Sequence, residues 1–378
     1  MELQAGGSLL RYGIIGVGMM GREHQYNLAA IPGALVVAVA DPDPGSRQQA
    51  VAVASALQLS RPAPPLEVFA DHGSLLDSGL CDVVVVATPN MTHAQILLDI
   101  LNHPKSHHIL VEKPLCTTVE DCYLVMEAAR SRPEVLVQVG LEYRYIPAVA
   151  KLIEQVKIGS IGHVRMVSIR EHRFPFLVKV NNWNRFNRNS GGTLVEKCCH
   201  FFDLMTLIAD SRPARVMASG AQDINHLDEI YDGEVPDILD NAYVIVDYEN
   251  GARGMLDLCM FAEGSRNEQE ICVVGDRGKG EAFVPESIVR IGARDSGRAG
   301  VLTYEVHDKR VKYEGLHHGS SFLEHLEFAT AIKSHGEHPP TVGLEAGLMS
   351  VAIGVAAQLS IELGIFVTLS EVLARKRS

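Results

Sequence analysis

The sequence has few aromatic residues, fewer basic than acidic side chains, and no uninterrupted apolar run long enough to cross a membrane. Phe, Trp and Tyr make up 6% of the 378 residues, so there are few rings on which single-stranded nucleic acid could stack. The 34 Lys and Arg residues against 46 Asp and Glu residues give a formal net charge of −12, which repels phosphate backbones and anionic lipid. We therefore expect a small-molecule partner, and expect neither nucleic acid nor a membrane to be bound.

A membrane helix needs roughly 20 consecutive apolar residues. The nearest stretch, residues 344–369, is crossed by Glu345, Gln358 and Glu362, which predicts a buried amphipathic helix. The first residues lack the apolar segment of a secretory signal, and the seven cysteines show no repeating spacing. An odd number of unpatterned cysteines is typical of free thiols in a reducing compartment, so we predict a cytoplasmic protein.

Nearly half of the residues are apolar (47%), which is enough for a buried core. Over the first third of the chain, valine-rich runs alternate with segments of helix length. Continuous apolar runs are typical of strands that are buried on both faces of a parallel sheet. The alternation therefore predicts an α/β fold that begins with a doubly wound, Rossmann-type parallel sheet. The predicted strands lie at 11–17, 35–40, 83–87, 108–111 and 135–139, and the predicted helices at 21–30, 44–57, 93–101 and 118–130.

Beyond about residue 140 the predicted strands alternate between apolar and polar residues, and turn signals join them as hairpins. This pattern predicts an α+β domain with a largely antiparallel open sheet, whose more polar face is free for a second subunit. We therefore predict a dinucleotide-binding domain at 1–140, a substrate-binding and oligomerisation domain at 141–378, and a homodimer or homotetramer. The alternating strands lie at 163–170, 242–248, 254–261 and 270–274, and the turns at 249–251 and 275–278.

A glycine pattern, G-x-G-x-x-G, follows the first predicted strand and opens the first helix. In such a loop Gly16 permits the tight turn, Gly18 lets the backbone approach a pyrophosphate, and Gly21 lets the helix pack on the strand. Asp41 ends the second strand, where its carboxylate can accept both ribose hydroxyls and repel a 2′-phosphate. NAD is therefore the expected cofactor, with NADP left open by Arg47; a tight turn capped by Asp41 is the alternative. The predicted cofactor-binding residues of this loop are Gly16, Gly18, Met19, Met20, Gly21 and Asp41.

Two further loops follow predicted strands at the edge where open α/β sheets bind ligands. The loop at 88–90, with a histidine at the start of the next helix, is expected to border the nicotinamide ribose. The loop at 112–114 reads Glu-Lys-Pro, and a lysine beside a cofactor cleft can stabilise developing negative charge. The alternatives are a plain strand-to-helix turn and a solvated lysine. The cofactor-binding candidates from the two loops are Thr88, Pro89, Asn90, His93, Glu112 and Lys113.

The block from residue 191 to residue 203 contains the densest set of chemical signals. Two glycines precede an apolar helix on which Glu196 and His200, at i and i+4, share one face. A carboxylate one turn from an imidazole can fix its tautomer and raise its basicity, so His200 is a candidate general base, with Asp203 as a second orienting residue. A structural ion pair on a core helix is the alternative. Adjacent helical residues point about 100° apart, so Cys198 and His200, with the cysteine between them, cannot converge on one ion, and we predict no metal site.

Arg144, Arg173 and Trp183 belong to a further polar and aromatic set that includes Asn184 and Arg185. An indole ring can stack on a sugar, and arginines can bind its hydroxyls, so these residues, with Glu196 and Asp203, are candidates for substrate binding. The alternatives are surface or interface positions for the arginines and a core position for the tryptophan.

In this order and spacing, the motifs resemble those of the Gfo/Idh/MocA oxidoreductase family, which includes inositol and glucose–fructose oxidoreductases. The resemblance spans nearly the whole chain, and Glu-Lys-Pro combined with the Gly-Gly…His-x-x-Asp block is specific. Residues 111–116 and 191–203 look most like uncharacterised plant-type members. The resemblance is carried by Gly16–Gly21, Asp41, Ala87-Thr88-Pro89-Asn90, Glu112-Lys113-Pro114 and Gly191–Asp203.

The resemblance implies an NAD(P)-dependent oxidoreductase that acts on a CH–OH group of a sugar or cyclitol. By this resemblance Lys113 contacts the substrate hydroxyl and the nicotinamide ribose, and His200 takes the hydroxyl proton while hydride passes to the nicotinamide. Many members have an aspartate where this chain has Glu196, and a glycine where it has Cys198. The extra methylene shifts the carboxylate of Glu196 by roughly an ångström, which matters for near-attack geometry.

Two other functions are compatible with the same residues. Some relatives use tightly held NAD as a transient oxidant to eliminate or hydrolyse a glycoside, which gives product without net reduction of added cofactor. Others bind dinucleotide and act as redox-sensing regulators or scaffolds, which need neither Lys113 nor His200. The retention of both residues favours an enzyme.

Overall fold

The computed structural model describes residues 9–59, 64–334 and 337–374. The chain forms two compact units, of which the first contains the residues as far as Cys116 together with 120–141 and 310–348. The second contains 117–119, 142–309 and the described residues from Met349 to residue 374. Residues 310–348 therefore belong to the first unit, whereas the division predicted at residue 140 assigned them to the second domain. The prediction was based on the change from continuous to alternating apolar strands, and this pattern carries no information about a distant segment that packs back on the first unit.

The first unit contains the predicted parallel sheet. Its six strands are all parallel and follow the order β3-β2-β1-β4-β5-β6. The sequence did not predict β3, because this strand has three residues that are at least partly exposed and so lacks an apolar run. The strands are β1 Leu10–Ile15, β2 Ala34–Ala40, β3 Glu67–Phe69, β4 Val83–Val86, β5 His108–Glu112 and β6 Val137–Gly140.

Helices connect these strands, and two of them begin at aspartate caps. Asp43 caps α2 by accepting a hydrogen bond from the Ser46 amide at 2.6 Å, and Asp71 caps α3 through the Ser74 amide at 2.8 Å. Because the six strands are all parallel, their carboxyl ends and the starts of the helices that follow them lie at one edge of the sheet. Ligands bind at this edge in sheets of this architecture. The helices are α1 Met19–Ala29, α2 Pro44–Gln58, α3 His72–Asp77, α4 His93–Asn102 and α5 Val119–Arg130.

The second unit contains a nine-stranded sheet with the order β14-β13-β12-β11-β7-β10-β9-β8-β15. Neighbouring strands are antiparallel except for β7 and β10, which are parallel. Both predicted hairpins, β9–β10 and β11–β12, are present. The strands are β7 Val164–His172, β8 Pro213–Ala221, β9 Asn241–Tyr248, β10 Arg253–Cys259, β11 Gln269–Gly275, β12 Gly278–Val284, β13 Ile288–Ala293, β14 Leu302–Glu305 and β15 Val367–Thr368.

One face of this sheet is buried and the other is exposed, as the alternation predicts. On β9 the side chains of Ala242, Val244 and Val246 are buried, whereas Tyr243 is 63% exposed. The exposed face is the one that was expected to be more polar, and it carries charged side chains such as Arg170 and Asp247. It also exposes the apolar side chains of Met166, Tyr243, Ile245 and Met255, so part of the face is hydrophobic.

Seven further helices complete the described chain. The helix α11 is the one helix in the described ranges that is long and apolar enough to cross a membrane, but most of it is buried inside the protein. The prediction of a buried helix there is confirmed. The helices are α6 Pro147–Lys157, α7 Asn187–Ser190, α8 Thr193–Glu196, α9 Cys199–Ala209, α10 Ser320–Lys333, α11 Leu344–Leu363 and α12 Leu369–Leu373.

Candidate active site

The glycine loop after β1 is tightly packed at two of its three glycines. Gly16 has a φ of +85°, and a Cβ on it would lie 2.7 Å from the carbonyl of Ala87, at the end of β4. A Cβ on Gly21 would collide with the carbonyl oxygen of Gly16. Only glycine therefore allows the loop to turn beside β4 while α1 packs directly against it.

Gly18, in contrast, faces open space and fits the role of a phosphate-binding residue. Among the described residues, and apart from the two chain neighbours of Gly18, no heavy atom lies within 4 Å of the position that a Cβ on Gly18 would occupy. The helix α1 begins immediately after it. Met19 and Met20, in the first turn of α1, are partly exposed at the same place. A helix N-terminus with open space in front of it is suited to an anion such as a pyrophosphate.

Asp41 holds the loop from the side, because both of its carboxylate oxygens accept backbone hydrogen bonds. Oδ2 accepts from the Val17 amide and Oδ1 from the Asp43 amide, each at 2.8 Å. The carboxylate retains lone pairs for ribose hydroxyls, so the residues present fit a dinucleotide. The guanidinium of Arg47 donates to the carbonyls of Asp41 (2.6 Å) and Pro42 (2.9 Å), which holds it against the backbone of this turn.

The loop after β4 is held by His93, which is completely buried. Its Nδ1 lies 2.8 Å from the carbonyl oxygen of Pro114, and its Nε2 lies 3.0 Å from that of Thr88. Burial lowers the pKa of His93, although the two carbonyls oppose this. Since both ring nitrogens lie against carbonyl oxygens, His93 ties the two loops together, and its contact with the cofactor stays a prediction. Pro89 is partly exposed and Asn90 is buried.

The Glu-Lys-Pro loop after β5 is supported by a chain of three buried groups. The carboxylate of Glu112 accepts hydrogen bonds from His24 Nε2 at 3.0 Å and from the Lys113 amide at 3.2 Å. Behind it, His24 Nδ1 lies 2.8 Å from His325 Nε2. Burial by itself would raise the pKa of Glu112, but the hydrogen bond and charge of His24 and the charges of Lys113 and His317 lower it to about 2. The carboxylate is therefore ionised beside Lys113, which is itself partly exposed.

His24→Leu is expected to lower the free energy of unfolding by about 1.5–3 kcal/mol, because it removes a hydrogen bond to a buried carboxylate. The folded-state pKa of Glu112 lies below its ordinary value of 4.5, so this stability is present above about pH 4.5 and is lost as the pH falls towards 2. Urea titrations at pH 7 measure the first effect, and a series continued down to about pH 2 measures the second.

His72→Leu is the matched control, because His72 pairs with Asp99 at 2.8 Å and both side chains are partly exposed. We expect it to cost less than about 1 kcal/mol. Equal losses in the two variants would show that the buried chain contributes nothing beyond an ordinary surface pair.

In the second unit, two glycines with positive φ begin the block that contains His200. Gly191 and Gly192 have φ values of 84° and 82°, and the Gly191 carbonyl accepts a hydrogen bond from Gln358 at 2.7 Å. The prediction of one continuous helix after these glycines is wrong. It is divided into α8, which ends at Glu196, and α9, which begins at Cys199, so Glu196 and His200 lie on different helices. The division follows from the Cys198 amide, which bonds to the carbonyl five residues earlier and interrupts the regular ladder.

His200 is buried and stacks on Tyr143. The ring centroids are 4.0 Å apart and the planes are inclined by 11°. At the hydroxyl end of the phenol, Lys197 donates to the Tyr143 hydroxyl at 2.8 Å, and its Nζ also lies 2.8 Å from Glu171 Oε1. Glu171 is fully buried, and its Oε2 accepts from Gln269 at 2.7 Å. Burial lowers the pKa of Lys197, while the charge of Glu171 opposes the change.

Sequence reasoning missed Tyr143, Lys197 and Glu171. The signal for Lys197 was its position in an apolar segment, because most lysines lie in polar surroundings. Nothing in the sequence connects Tyr143 with His200 or Lys197 with Glu171. The first pair is made where the helical turn at residues 142–145 packs on α9, and the second where the start of α9 packs on β7.

The residues expected to bind substrate fall into separate groups. Arg144 and Asp203 form a bidentate ion pair, with Arg144 Nε 2.6 Å from Asp203 Oδ2 and Nη2 bonded to Oδ1. Burial raises the pKa of Asp203, and Arg144 opposes the change. Arg173 lies 3.5 Å from Glu171, beside the Lys197 cluster. Trp183 is half-buried in a helical turn at residues 180–185.

In the same turn, Asn184 and Arg185 are buried, and Arg185 Nε lies 2.9 Å from Glu229. The structure therefore brings Arg144 together with Asp203, and Arg173 together with the ion pair of Glu171 and Lys197.

Family models match both parts of the chain. Residues 10–141 match the NAD-binding Rossmann fold of an oxidoreductase family, and residues 153–369 match the C-terminal alpha/beta domain of the same family. The chain belongs to the Gfo/Idh/MocA oxidoreductase family. The glycine loop and Asp41 lie in the matched Rossmann segment, so this oxidoreductase has an NAD-binding domain.

Curated relatives cover almost the whole oxidoreductase. A myo-inositol 2-dehydrogenase of Thermotoga maritima is 28% identical over 370 residues, which are 96% of this chain and 100% of the relative. The scyllo-inositol 2-dehydrogenase (NAD(+)) of Bacillus subtilis is 26% identical over 366 residues, which are 95% of this chain and 96% of the relative. Among solved structures, a levoglucosan dehydrogenase in complex with NADH and levoglucosan aligns with a TM-score of 0.82 and 21% identity, covering 95% of this chain and 99% of that one. This structural likeness shows that the fold is shared.

Proposed function

We propose that this NAD-dependent oxidoreductase interconverts a secondary alcohol and a ketone on a sugar or an inositol-like cyclitol. The observation that carries the proposal is the buried His200 on α9, backed by polar groups, in a chain that also keeps Lys113 directly beside the ionised Glu112. The relatives named as inositol 2-dehydrogenases extend over nearly the full chain, which supports the substrate class. The seven cysteines are free thiols, and we propose the cytoplasm as the compartment.

In the proposed reaction, His200 takes the proton of the substrate hydroxyl as a general base. Lys113 donates a hydrogen bond to the same oxygen and stabilises the negative charge that develops on it. Glu196, which is buried at the end of α8, orients either the imidazole or a ring hydroxyl. When bound, the nicotinamide supplies the carbon that accepts the hydride. Residues Gly16, Gly18 and Asp41 hold the dinucleotide.

The test is the absorbance of reduced nicotinamide when the purified protein is given NAD or NADP with a panel of inositols, aldoses and anhydrosugars. We expect a signal with NAD on at least one polyol, and a weaker one with NADP because of the charge of Asp41. Product without net reduction of added cofactor would replace the proposal by elimination or hydrolysis with bound NAD. Cofactor binding without turnover of any member would replace it by a sensing role.

We further propose that the exposed apolar face of the second sheet is covered by another copy of the chain, in a homodimer or homotetramer. Tyr243, Ile245 and Met255 lie side by side on β9 and β10, and such a patch marks an interaction surface. Light scattering is expected to give an oligomer for the wild type and a smaller species for Ile245→Glu. Leu124→Glu, which changes an exposed leucine on α5, is expected to leave the mass unchanged. A wild-type monomer would contradict this proposal.

A further inference from the structure

The imidazole of His200 has one face covered by the ring of Tyr143. The two rings are nearly parallel, at 4.0 Å between centroids, and Tyr143 is only 4% exposed. Phe201 meets the phenol ring edge-on, with centroids 5.6 Å apart. The imidazole plane is therefore set by a neighbour that is itself held between rings.

The far end of the phenol is held by a buried ion pair. Lys197 donates to the Tyr143 hydroxyl, and its ammonium is in turn paired with Glu171, at 2.8 Å in each case. Glu171 is anchored on β7 by Gln269, its partner in the neighbouring strand β11. A continuous chain of contacts therefore connects Gln269 and Glu171 in the second sheet, through Lys197 and Tyr143, with the imidazole of His200.

Stability alone does not account for these charges. A buried ion pair gains in attraction roughly what it loses in hydration, and apolar residues of the same volume are often at least as stable. A general base, however, has to present its nitrogen to the substrate with sub-ångström accuracy. A stacked ring whose hydroxyl is tied to a fixed ammonium provides that accuracy.

We propose that Tyr143 and Lys197 are positioning residues for His200: Tyr143 fixes the plane of the imidazole, and Lys197, held by Glu171, fixes Tyr143 and opposes protonation of the imidazole by its charge. The inference rests on the proposed function of His200 as the base. The other charged groups around the stack are Glu196 before α9, Asp203 on α9 with its partner Arg144, and Arg173 after β7.

Three variants separate the contributions of the ring and the hydroxyl. Tyr143→Leu removes both and is expected to lower kcat by about 100-fold, the size of effect that an ångström of misplacement causes. Tyr143→Phe keeps the ring and is expected to recover most of this loss. Phe202→Leu is the matched control, since it shortens a fully buried aromatic on α9, the helix of His200; it is expected to lower the urea midpoint without changing kcat. Equal kcat values for Tyr143→Leu and Phe202→Leu would overturn the proposal.

Lys197→Met tests the charge. Loss of the ammonium favours the imidazolium, so the acid limb of the kcat/KM profile is expected to move to higher pH. If this variant does not fold because Glu171 is left unpaired, Lys197→Met/Glu171→Gln removes both charges, and the same direction is expected because the ammonium is the nearer of the two to the phenol. A profile that does not move, or moves to lower pH, would overturn the role of Lys197.

A second readout does not need turnover. In protein labelled with ¹³C at histidine Cε1, with His200→Gln to assign the signal, the His200 resonance is expected to be shifted upfield by the phenol ring. This shift should be lost in Tyr143→Leu and retained in Tyr143→Phe. If the shift behaves in this way but no polyol is oxidised, the proposed function fails while the positioning of His200 stands. A resonance that is unchanged in Tyr143→Leu overturns the positioning.

Discussion

His200→Ala is expected to lower kcat by about 10²–10⁴-fold, the contribution of a positioned general base. Lys113→Met is expected to lower it by about 10²–10³-fold, because it removes the donor that stabilises the developing alkoxide. His200 is not among the predicted cofactor-binding residues, so the Kd for NAD should change by less than about threefold in His200→Ala. Lys113 is expected to contact the nicotinamide ribose, so Lys113→Met should weaken NAD binding by no more than about tenfold, or about 1.4 kcal/mol. Stopped-flow measurement of turnover, together with titration of NAD by protein fluorescence, gives both quantities.

The matched controls are surface residues of the same type. His307 is largely exposed and pairs with Glu305, and Lys151 pairs with Glu154 on α6. His307→Ala and Lys151→Met are expected to keep wild-type kcat. Wild-type turnover in His200→Ala or Lys113→Met would remove that residue from its proposed role, and a large loss of NAD affinity would place it in cofactor binding instead.

Asp203→Ala is expected to lower the free energy of unfolding by about 3–5 kcal/mol. The substitution leaves the guanidinium of Arg144 without its bidentate partner in a place where its side chain is 13% exposed, and an uncompensated buried charge has a cost of this size. Urea denaturation followed by circular dichroism measures the change. The double variant Arg144→Met/Asp203→Leu removes both charges and is expected to recover most of the loss.

Glu127→Ala is the control for this prediction. Glu127 pairs with Arg130 on α5 at 2.8 Å, but the two side chains are 74% and 68% exposed. An exposed pair of this kind contributes about 0.3–0.5 kcal/mol. If Asp203→Ala were as mild as Glu127→Ala, Arg144 would have water or another partner available, and the pair would not hold α9 in place.

The glycine loop and the Glu-Lys-Pro loop could be found from the sequence because their chemistry is local. The spacing of Gly16, Gly18 and Gly21 predicts a turn and a helix start within six residues. Glu112 and Lys113 directly follow the continuous apolar run at 109–111. The role of His93 could not be found in this way. Its type and position suited a ligand contact, but the carbonyls that occupy its nitrogens belong to two different loops.

The sequence by itself determined the parallel sheet, the change to strands of alternating polarity after about residue 140, the family and the residue types of the site. Each of these is encoded in the periodicity or spacing of neighbouring residues, which a single chain displays directly. Only the tertiary structure decided that His24 meets His325, 301 residues away, and that Lys197 meets Tyr143, 54 residues away. Such pairs are selected by the packing of helices and strands and leave no periodic trace. The groups that hold Lys113 and His200 in place are of this kind.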